Sequence, residues 1–260
     1  MMTAIEAIHL RKTFGPVVAV DNVDITVASS QTVALLGGNG AGKTTTISML
    51  LGLLLPSAGR ITILGHHLAR TRYAVMARMN FSSPYAELPH RLTVAQNLRV
   101  YADLYGVADA AERIAELAER LDLTQFLDRP SGKLSAGQKT RLALAKSLIN
   151  RPEVLLLDEP TASLDPDTGD WVRGYLEQYR AETGASMLIA SHNMSEVERL
   201  CDHVLMMRAG RIVDQDAPAA LLARYGRQTL EDVFLDIARD RRSASAPAGT
   251  PDSAGEQAAQ

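Results

Sequence analysis

The sequence has a single cysteine and no long hydrophobic run. One thiol, Cys201, excludes an internal disulfide bond and a cysteine-based metal cluster, and we expect it to be a small buried core residue. A membrane-spanning helix needs about 20 apolar residues, yet even the stretch Met49–Leu55 stops at Pro56. The N-terminus has no basic segment leading into an apolar one, so no secretion signal is expected. These absences predict a cytosolic protein, whose membrane-spanning partner, if it serves a transporter, is a different chain.

The chain also lacks an excess of charge of either sign. It has 27 basic and 30 acidic residues and a formal net charge of -3. Binding to nucleic acid needs a strongly basic surface, so we expect no nucleic-acid partner. At 260 residues the chain is long enough to bury a substantial core, in one large α/β domain or two small ones.

A glycine-rich segment follows the apolar stretch Val33–Leu36. It consists of Gly37, Gly38, Asn39, Gly40, Ala41, Gly42, Lys43, Thr44 and Thr45. The glycines let successive backbone N–H groups turn toward a polyphosphate, which also meets the positive end of the following helix. Lys43 would reach the β- and γ-phosphates, and the Thr44 hydroxyl would ligate magnesium. The segment therefore predicts a phosphate-binding loop, with a merely structural glycine turn as the weaker alternative.

Two kinds of strand pattern are present. Three short strands are predicted near the N-terminus: Ala7–Leu10, Val17–Val20 and Val23–Val27, with the turn residues Gly15-Pro16 and Asp21-Asn22 between them. Their alternation of apolar and polar residues predicts an antiparallel sheet with one solvent-exposed face. Three later runs are continuously apolar, which is typical of central parallel strands covered on both faces: Val33–Leu36, Val154–Leu157 and Met187–Ala190.

The middle of the chain, about residues 85–150, has a helical pattern and no convincing strand. The predicted helical segments are Thr93–Tyr105, Asp109–Leu121 and Ala136–Leu148. Residues 241–260 are rich in Ala, Ser, Pro and Gly without apolar periodicity, so we expect a disordered tail.

An ordered set of motifs follows the phosphate-binding loop: Leu134–Gln138 (LSAGQ), Val154–Pro160 (VLLLDEP), Ser163–Asp165 (SLD) and Ser191-His192. This set resembles the nucleotide-binding subunit of ATP-binding cassette (ABC) transporters. The resemblance implies an α/β P-loop NTPase core with a mostly parallel sheet, an N-terminal antiparallel β-subdomain and an inserted helical subdomain. It assigns residues 1–240 to one ABC ATPase domain, which binds ATP and Mg²⁺.

Asp158 ends an apolar strand, and its carboxylate at that sheet edge suits magnesium, directly or through water. The resemblance makes Glu159 the general base that polarises the attacking water, and His192 the switch histidine that contacts the γ-phosphate and helps hold Glu159. The alternative to these roles is that Asp158 and Glu159 are merely solvated acids at a strand end and that His192 has a structural role.

Phe14 lies in a turn and matches the aromatic residue that stacks on adenine in this family. Stacking on a base contributes about 1–3 kcal/mol in single-strand binders, and an exposed ring would otherwise be an apolar liability. The alternative is a phenylalanine of the core.

The signature segment, Leu134–Gln138, precedes a helix and forms a second anion site. The resemblance implies that Ser135, Ala136, Gly137 and Gln138 cover the ATP held by a partner subunit, so that function requires a head-to-tail homodimer. Ala136 replaces the usual glycine, which adds one methyl group. Asp165 matches the loop that crosses between subunits and couples the two ATP sites.

The largest departure from the family pattern lies in Asn80–Tyr85. The family places a glutamine there, which touches magnesium and senses the membrane subunit. Ser83 aligns with that glutamine and is therefore a candidate magnesium contact.

The segments Ala217–Leu222 and Thr229–Leu235 look like those of cassettes that pair with ABC-2-type exporter membrane subunits. We therefore expect an ATP-hydrolysing subunit that drives a separate membrane-spanning permease from the cytoplasmic side of the inner or plasma membrane. A DNA-repair or chromosome ATPase needs a long coiled coil, and the interval between Lys43 and Ser135 has no sustained heptad run. A soluble cassette ATPase without a membrane partner stays open as the alternative.

Overall fold

The computed structural model describes residues 2–83, 87–162 and 164–238. The predicted tail, and Pro84, Tyr85 and Ser163 of the motifs, lie outside the described residues. Within them the strands are β1 Thr3–Phe14, β2 Val17–Ala28, β3 Thr32–Leu36, β4 Ala58–Ile63, β5 His66–His67, β6 Met79–Ser82, β7 Val154–Asp158, β8 Ser186–Ser191, β9 His203–Arg208 and β10 Arg211–Asp216. The helices are α1 Lys43–Leu50, α2 Leu68–Met76, α3 Val94–Leu104, α4 Ala110–Arg120, α5 Ala136–Leu148, α6 Pro166–Thr183, α7 Met194–Leu200, α8 Pro218–Tyr225 and α9 Leu230–Ala238.

The strands form two sheets. The first is antiparallel, with the order β2-β1-β4-β5. The second has the order β10-β9-β3-β8-β7-β6, and only β10 runs antiparallel to its neighbour. This arrangement confirms the predicted α/β fold, with a mostly parallel core sheet and an N-terminal antiparallel sheet.

The central strands are apolar throughout because they are covered on both faces. Successive residues of β3, β7 and β8 belong alternately to two hydrophobic clusters. Leu36, Leu155 and Ile189 pack with residues of α3 to α9, whereas Leu35 and Leu156 pack with β1, β2, β4, α1 and α2. Parallel strands buried on both faces are expected to be apolar at every position, and the three predicted core strands are confirmed.

One part of the strand prediction is wrong. Asp21 and Asn22 do not end a strand, and Val17–Val20 and Val23–Val27 both belong to the single strand β2. The pairing with β1 shifts register here, since Lys12 pairs with Val20 and Leu10 pairs with Val23. Asn22 has φ 52°, a left-handed conformation that asparagine tolerates, so a residue typical of turns is accommodated as an irregularity inside the strand.

The region 87–150 contains α3, α4 and α5 and, among the residues described there, no strand longer than an isolated bridge. The predicted helices agree with these three to within one residue at each end. Thr93 caps α3, with its hydroxyl accepting from the Gln96 N–H at 3.2 Å. Arg113 of α4 is buried and donates to the carbonyls of Leu148 at 2.5 Å and Ile149 at 3.3 Å, which ties α4 to the end of α5.

The last two helices pack on the same core. Leu230 and Val233 of α9 are fully buried, and the backbone N–H of Leu230 donates to the Glu198 carboxylate of α7 at 3.0 Å. At the other end of α9, the Arg208 guanidinium donates to the Ile237 carbonyl at 2.6 Å. Among the described residues, no helix combines the length and the apolar character that a membrane span requires.

Candidate nucleotide-binding site

The predicted phosphate-binding loop connects β3 to α1. Gly37 lies against the Met207 carbonyl, where an added Cβ would come within 2.6 Å of that oxygen. Gly42 has φ 108°, and a Cβ there would come within 2.6 Å of the Ala19 carbonyl. Gly37 therefore requires glycine because of the close Met207 carbonyl, and Gly42 requires it because of both the close Ala19 carbonyl and its positive φ.

Lys43 is buried at the start of α1. Its ammonium group donates to the Gly37 carbonyl at 2.6 Å and lies 3.4 Å from the Gly38 carbonyl, so the side chain folds back over the loop that precedes it. The first turn of α1 contains no acidic residue. Free N–H groups and the helix dipole make this end of α1 favourable for an anion.

The ends of three parallel strands meet beside this loop. Leu36 of β3 is in register with Ser191 of β8, and Ala190 of β8 is in register with Asp158 of β7. The residues that follow these strands are therefore brought to one edge of the sheet, where ligands bind in open α/β sheets. The loop, the acidic pair and His192 therefore lie at the same edge of the sheet, and their roles in binding and catalysis stay predictions.

Asp158 is buried at the end of β7. Burial raises the pKa of its carboxyl group, the negative charge of Glu159 raises that pKa further, and the positive charge of Lys43 lowers it. A hard carboxylate oxygen in this position, close enough to Lys43 to feel its charge, is the kind of ligand that magnesium prefers.

Glu159 and His192 form a direct pair. Glu159 has φ 51°, and its N–H donates to the Ala190 carbonyl at 2.7 Å, which anchors the turn after β7 to β8. The Glu159 carboxylate lies 2.6 Å from Nδ1 of His192. The Glu159 side chain is 13% exposed and that of His192 is 69% exposed, so the carboxylate is sheltered and the imidazole covers it from solvent.

Phe14 is at the end of β1 and is 49% exposed, so the alternative of a core phenylalanine is wrong. The Lys12 ammonium group lies 5.2 Å from the centre of its ring. Val17 and Val18, at the start of β2, are also exposed. An exposed aromatic ring beside two exposed valines offers a flat apolar surface, and its use for adenine stays a prediction.

The signature segment begins α5 with a capping box. The Ser135 hydroxyl accepts from the Gln138 N–H at 3.3 Å, and the Gln138 side-chain oxygen accepts from the Ser135 N–H at 2.9 Å. This reciprocal bonding fixes the N-terminus of the helix at Ser135. In the described part of the chain, no hydrogen bond or ion pair joins Ser135–Gln138 to the phosphate-binding loop.

Asp165 has a local structural role that the sequence did not predict. Its carboxylate accepts from the Thr168 N–H at 3.0 Å and from the Thr168 hydroxyl at 2.8 Å, which makes Asp165 the cap of α6. These hydrogen bonds lower the pKa of Asp165. The Thr168 hydroxyl in turn lies 3.4 Å from the position of a Cβ on Gly137, so the cap of α6 is next to the signature segment.

Ser83 follows β6 and lines an open groove of about 260 Å³. The other lining residues belong to the helical region: Glu87, Leu88, His90, Ser131, Ala136, Lys139, Thr140, Leu142 and Ala143. Ser83 therefore lies between the core sheet and the signature helix. Its predicted contact with magnesium stays a prediction.

Comparisons with known proteins identify the family. The ABC transporter family model matches residues 20–162. The Nod factor export ATP-binding protein I of Cupriavidus metallidurans is 37% identical over 224 residues, which are 85% of this chain and 74% of that protein. This chain belongs to the ABC transporter family. It is a nucleotide-binding subunit and an ATP hydrolase of the ABC type.

Other similarities agree with this ABC assignment. The probable multidrug ABC transporter ATP-binding protein YbhF of Escherichia coli is 34% identical over 245 residues, which are 92% of this chain and 42% of that protein. A solved ATP-binding subunit of an ABC transporter has a TM-score of 0.83 at 25% identity, covering 91% of this chain and all of that one. The structure of cbiO1 from Clostridium perfringens, part of the ABC transporter complex cbiONQ, has a TM-score of 0.77 at 28% identity, covering 93% and 98%.

Two buried charged residues of this ABC cassette were missed by sequence reasoning. Lys146 of α5 is 7% exposed, and its ammonium group donates to the Phe81 carbonyl at 3.0 Å. Glu196 of α7 is 0% exposed. The sequence patterns of their helices do not distinguish these two residues from surface positions. The only sequence signal for a role of Glu196 is its position four residues after His192.

Proposed function

We propose that this cassette hydrolyses ATP as a head-to-tail homodimer and drives a separate membrane permease, as the peripheral ATPase subunit of an ABC-2-type exporter on the cytoplasmic side of the inner or plasma membrane. The observation that supports hydrolysis most directly is the 2.6 Å contact between Glu159 and Nδ1 of His192. A sheltered carboxylate that is oriented by an imidazole, at the sheet edge that also carries the phosphate-binding loop, is suited to act as a general base.

The roles of the other groups follow from their positions. Gly37–Thr45 would bind the polyphosphate through backbone N–H groups, and Lys43 would exchange its contacts with the Gly37 and Gly38 carbonyls for contacts with phosphate oxygens. Thr44 and Asp158 would hold Mg²⁺, which supplies charge neutralisation on the phosphate oxygens. Phe14 would bind the adenine ring by stacking.

The dimer is supported by the lack of a hydrogen bond between the two anion sites within the described part of one chain. Ser135 and the N-terminus of α5 form a site for negative charge, and this site has no hydrogen bond to the phosphate-binding loop among the described residues. A second copy in head-to-tail orientation would bring its own signature segment onto the ATP bound by this loop. Solved structures of the fold include dimeric cassettes.

The export assignment is supported by the C-terminal region and by relatives. Proteins named for Nod factor export align with 85% to 92% of this chain. The predicted ABC-2-type segments correspond to α8 and α9, and α9 is held on the ATPase core through Leu230 and Val233. We assign the groove beside Ser83 as the docking site of the permease, because it lies between the core sheet and the signature helix.

Glu159→Gln tests the proposed reaction. The variant should bind ATP with wild-type affinity and lose turnover by at least about 100-fold, because an amide cannot accept the proton of the attacking water. It should also accumulate as an ATP-bound dimer in size-exclusion chromatography. Glu112→Gln is the matched control, since Glu112 is an exposed carboxylate of α4. Wild-type turnover in Glu159→Gln would contradict the assignment of the base.

Purification from membranes of the native host tests the partner. We expect a permease to co-purify with the chain and to be lost after substitutions in the groove beside Ser83. If all of the purified chain is recovered without any membrane protein, the alternative of a soluble cassette ATPase is favoured.

A further inference from the structure

A buried ammonium group that the proposed reaction does not use lies between the signature helix α5 and strand β6. Lys146 of α5 is 7% exposed, and its ammonium group donates to the Phe81 carbonyl at 3.0 Å and to Oδ1 of Asn80 at 3.4 Å. Among the residues that the structure describes, no carboxylate pairs with this ammonium group. Burying a charge without a counter-ion is costly, so its presence here requires an explanation.

Two asparagines complete this contact between helix and strand. Nδ2 of Asn80 donates to Oδ1 of Asn150 at 2.8 Å and to the Lys146 carbonyl at 3.3 Å, while Oδ1 of Asn80 accepts from the Phe81 N–H at 2.8 Å. Nδ2 of Asn150 in turn donates to the Met79 carbonyl at 3.2 Å. The three side chains of Asn80, Lys146 and Asn150 thus form one connected group, which we call the β6 clamp.

The β6 clamp supplies hydrogen-bond partners that a neighbouring strand would otherwise provide. Among the described residues, β6 is the outermost strand of its sheet, so one row of its backbone groups faces no other strand. On that side the Phe81 N–H and carbonyl are paired with Asn80 and Lys146, and the Met79 carbonyl is paired with Asn150. Helix α5 is therefore bound to the sheet edge by specific hydrogen bonds as well as by apolar packing.

The same contacts fix the direction and register of α5 along β6. Asn150, after the end of α5, contacts the first residue of β6, and Lys146 contacts the third. Ser83, after the end of β6, shares its groove with Ala136 at the start of α5. The helix therefore runs antiparallel to the strand. With a rise of 1.5 Å per residue, Ser135 lies about 16 Å along the helix axis from Lys146.

Two aromatic rings surround the Lys146 ammonium group. The ring centre of Phe81 is 4.5 Å away, and that of Tyr101, on α3, is 5.2 Å away. The faces of aromatic rings attract cations and so replace part of the missing counter-charge. Lys146 therefore joins α3, α5 and β6 at one point, which an apolar side chain of the same length could fill but could not hydrogen-bond.

We propose that Lys146 is a positioning residue for the ATP site of the partner subunit: by holding α5 in register on β6, it sets where Ser135 and the N-terminus of α5 meet the ATP bound by that partner. This role rests on the proposed head-to-tail dimer. The capping box at Ser135 makes the signature segment continuous with α5, so a shift of the helix on β6 is carried to that segment. A displacement of about 1 Å from the productive geometry can cost about 100-fold in rate.

Lys146→Met tests this role, because it removes the hydrogen bond to the Phe81 carbonyl and keeps a long side chain between the two rings. The phosphate-binding loop of the variant is unchanged, so its affinity for ATP should stay within about twofold of wild type while kcat falls at least about tenfold. Arg151→Met is the matched control. Arg151 is an exposed cation after the end of α5 that pairs with Glu116 of α4 at 3.0 Å, and its loss should change neither quantity by more than about twofold.

Mixed dimers show which ATP site depends on Lys146. When Lys146→Met chains are mixed with Lys43→Ala chains, each mixed dimer keeps one site with an intact phosphate-binding loop and an intact signature helix, so ATPase activity should return. When they are mixed with Ser135→Ala chains, both sites contain a defective signature helix, so activity should not return. A variant that merely folds poorly would restore activity in neither mixture and would also bind less ATP.

The positioning role would be overturned by wild-type kcat in Lys146→Met. It would also be overturned if Ser135→Ala chains restored activity and Lys43→Ala chains did not, because Lys146 would then act on the ATP of its own subunit. If Lys146→Met does not fold, Asn80→Ala breaks the β6 clamp from the strand side and should give the same two mixing results. Restored activity in neither mixture with Asn80→Ala would then refute the role.

The mixture of Lys43→Ala with Ser135→Ala chains separates this role from the proposed function. If that mixture stays inactive, the head-to-tail dimer is contradicted, and the role of Lys146 is contradicted with it. If that mixture is active but Lys146→Met with Lys43→Ala is not, only the positioning role is wrong.

Discussion

Lys146 gives the chain a pH dependence of stability that can be calculated from its surroundings. Its ammonium group lies 4.5 Å from the centre of the Phe81 ring and 5.2 Å from that of Tyr101. Burial lowers the pKa of Lys146 from 10.5 to about 8. Between these two pH values the folded state binds fewer protons than the unfolded state, so the free energy of unfolding rises with pH in this window. Below pH 8 the full cost of burying the charge is present.

The magnitude follows from the two pKa values. With 1.36 kcal/mol for each pKa unit, the cost of burying the charged lysine is about 3 kcal/mol at low pH, and about 2 kcal/mol of it disappears between pH 7.5 and 9.5. Lys146→Met removes the titrating group and keeps a long apolar side chain. Wild type should therefore gain about 2 kcal/mol relative to Lys146→Met over this pH range.

Urea unfolding of both proteins at pH 7.5 and 9.5 measures this difference, and the titration of all other groups cancels in it. Lys139→Met is the control, because Lys139 is an exposed lysine of the same helix. Parallel pH dependences of wild type and Lys146→Met would refute the reasoning and would mean that Lys146 keeps its proton throughout, stabilised by the Phe81 carbonyl and the two rings.

Three further predictions concern the ATP site. Lys43→Ala should weaken ATP binding in a fluorescence titration at least about tenfold, since a charged contact contributes about 1.5–3 kcal/mol, and unchanged affinity would count against the phosphate-binding loop. A mixture of Lys43→Ala and Ser135→Ala chains should regain part of the ATPase activity that each lacks alone, because each mixed dimer contains one intact composite site. If the mixture forms no ATP-dependent dimer, the head-to-tail arrangement is contradicted. Ser83→Ala should keep most basal hydrolysis, because a serine hydroxyl reaches magnesium only through a water, and activity as low as in Glu159→Gln would show a direct catalytic role for Ser83.

Much of the core was predictable because its signals are local. The glycine positions and the apolar runs follow from backbone sterics and burial. The contact of His192 with Glu159 was expected from the resemblance to ABC cassettes, and it is consistent with the rule that parallel strands end at one sheet edge. The capping box at Ser135 lies where the helix pattern begins.

The misses arise where tertiary contacts overrule a local preference. Asp21 and Asn22 favour a turn, but pairing with β1 on either side keeps them in one strand. The pattern of α5 gives no sign that Lys146 is buried, because the Phe81 and Tyr101 rings that cover it come from distant segments. Glu196 likewise becomes notable only when β7 and β8 bring Thr161 and Ser191 around it.

Because its residues alternate between the two hydrophobic clusters, β7 packs against a different layer of the protein on each face. A change in volume at Leu155 or Leu157 is transmitted to the layer that contains the signature helix, and a change at Leu156 is transmitted to the antiparallel sheet that ends at Phe14. All three residues precede Asp158 by at most three positions. Leu155 and Leu157 therefore pack in the layer of α3 to α9 and Leu156 packs in the layer of the antiparallel sheet, so suppressor substitutions for defects in the two layers should segregate by parity along this single strand.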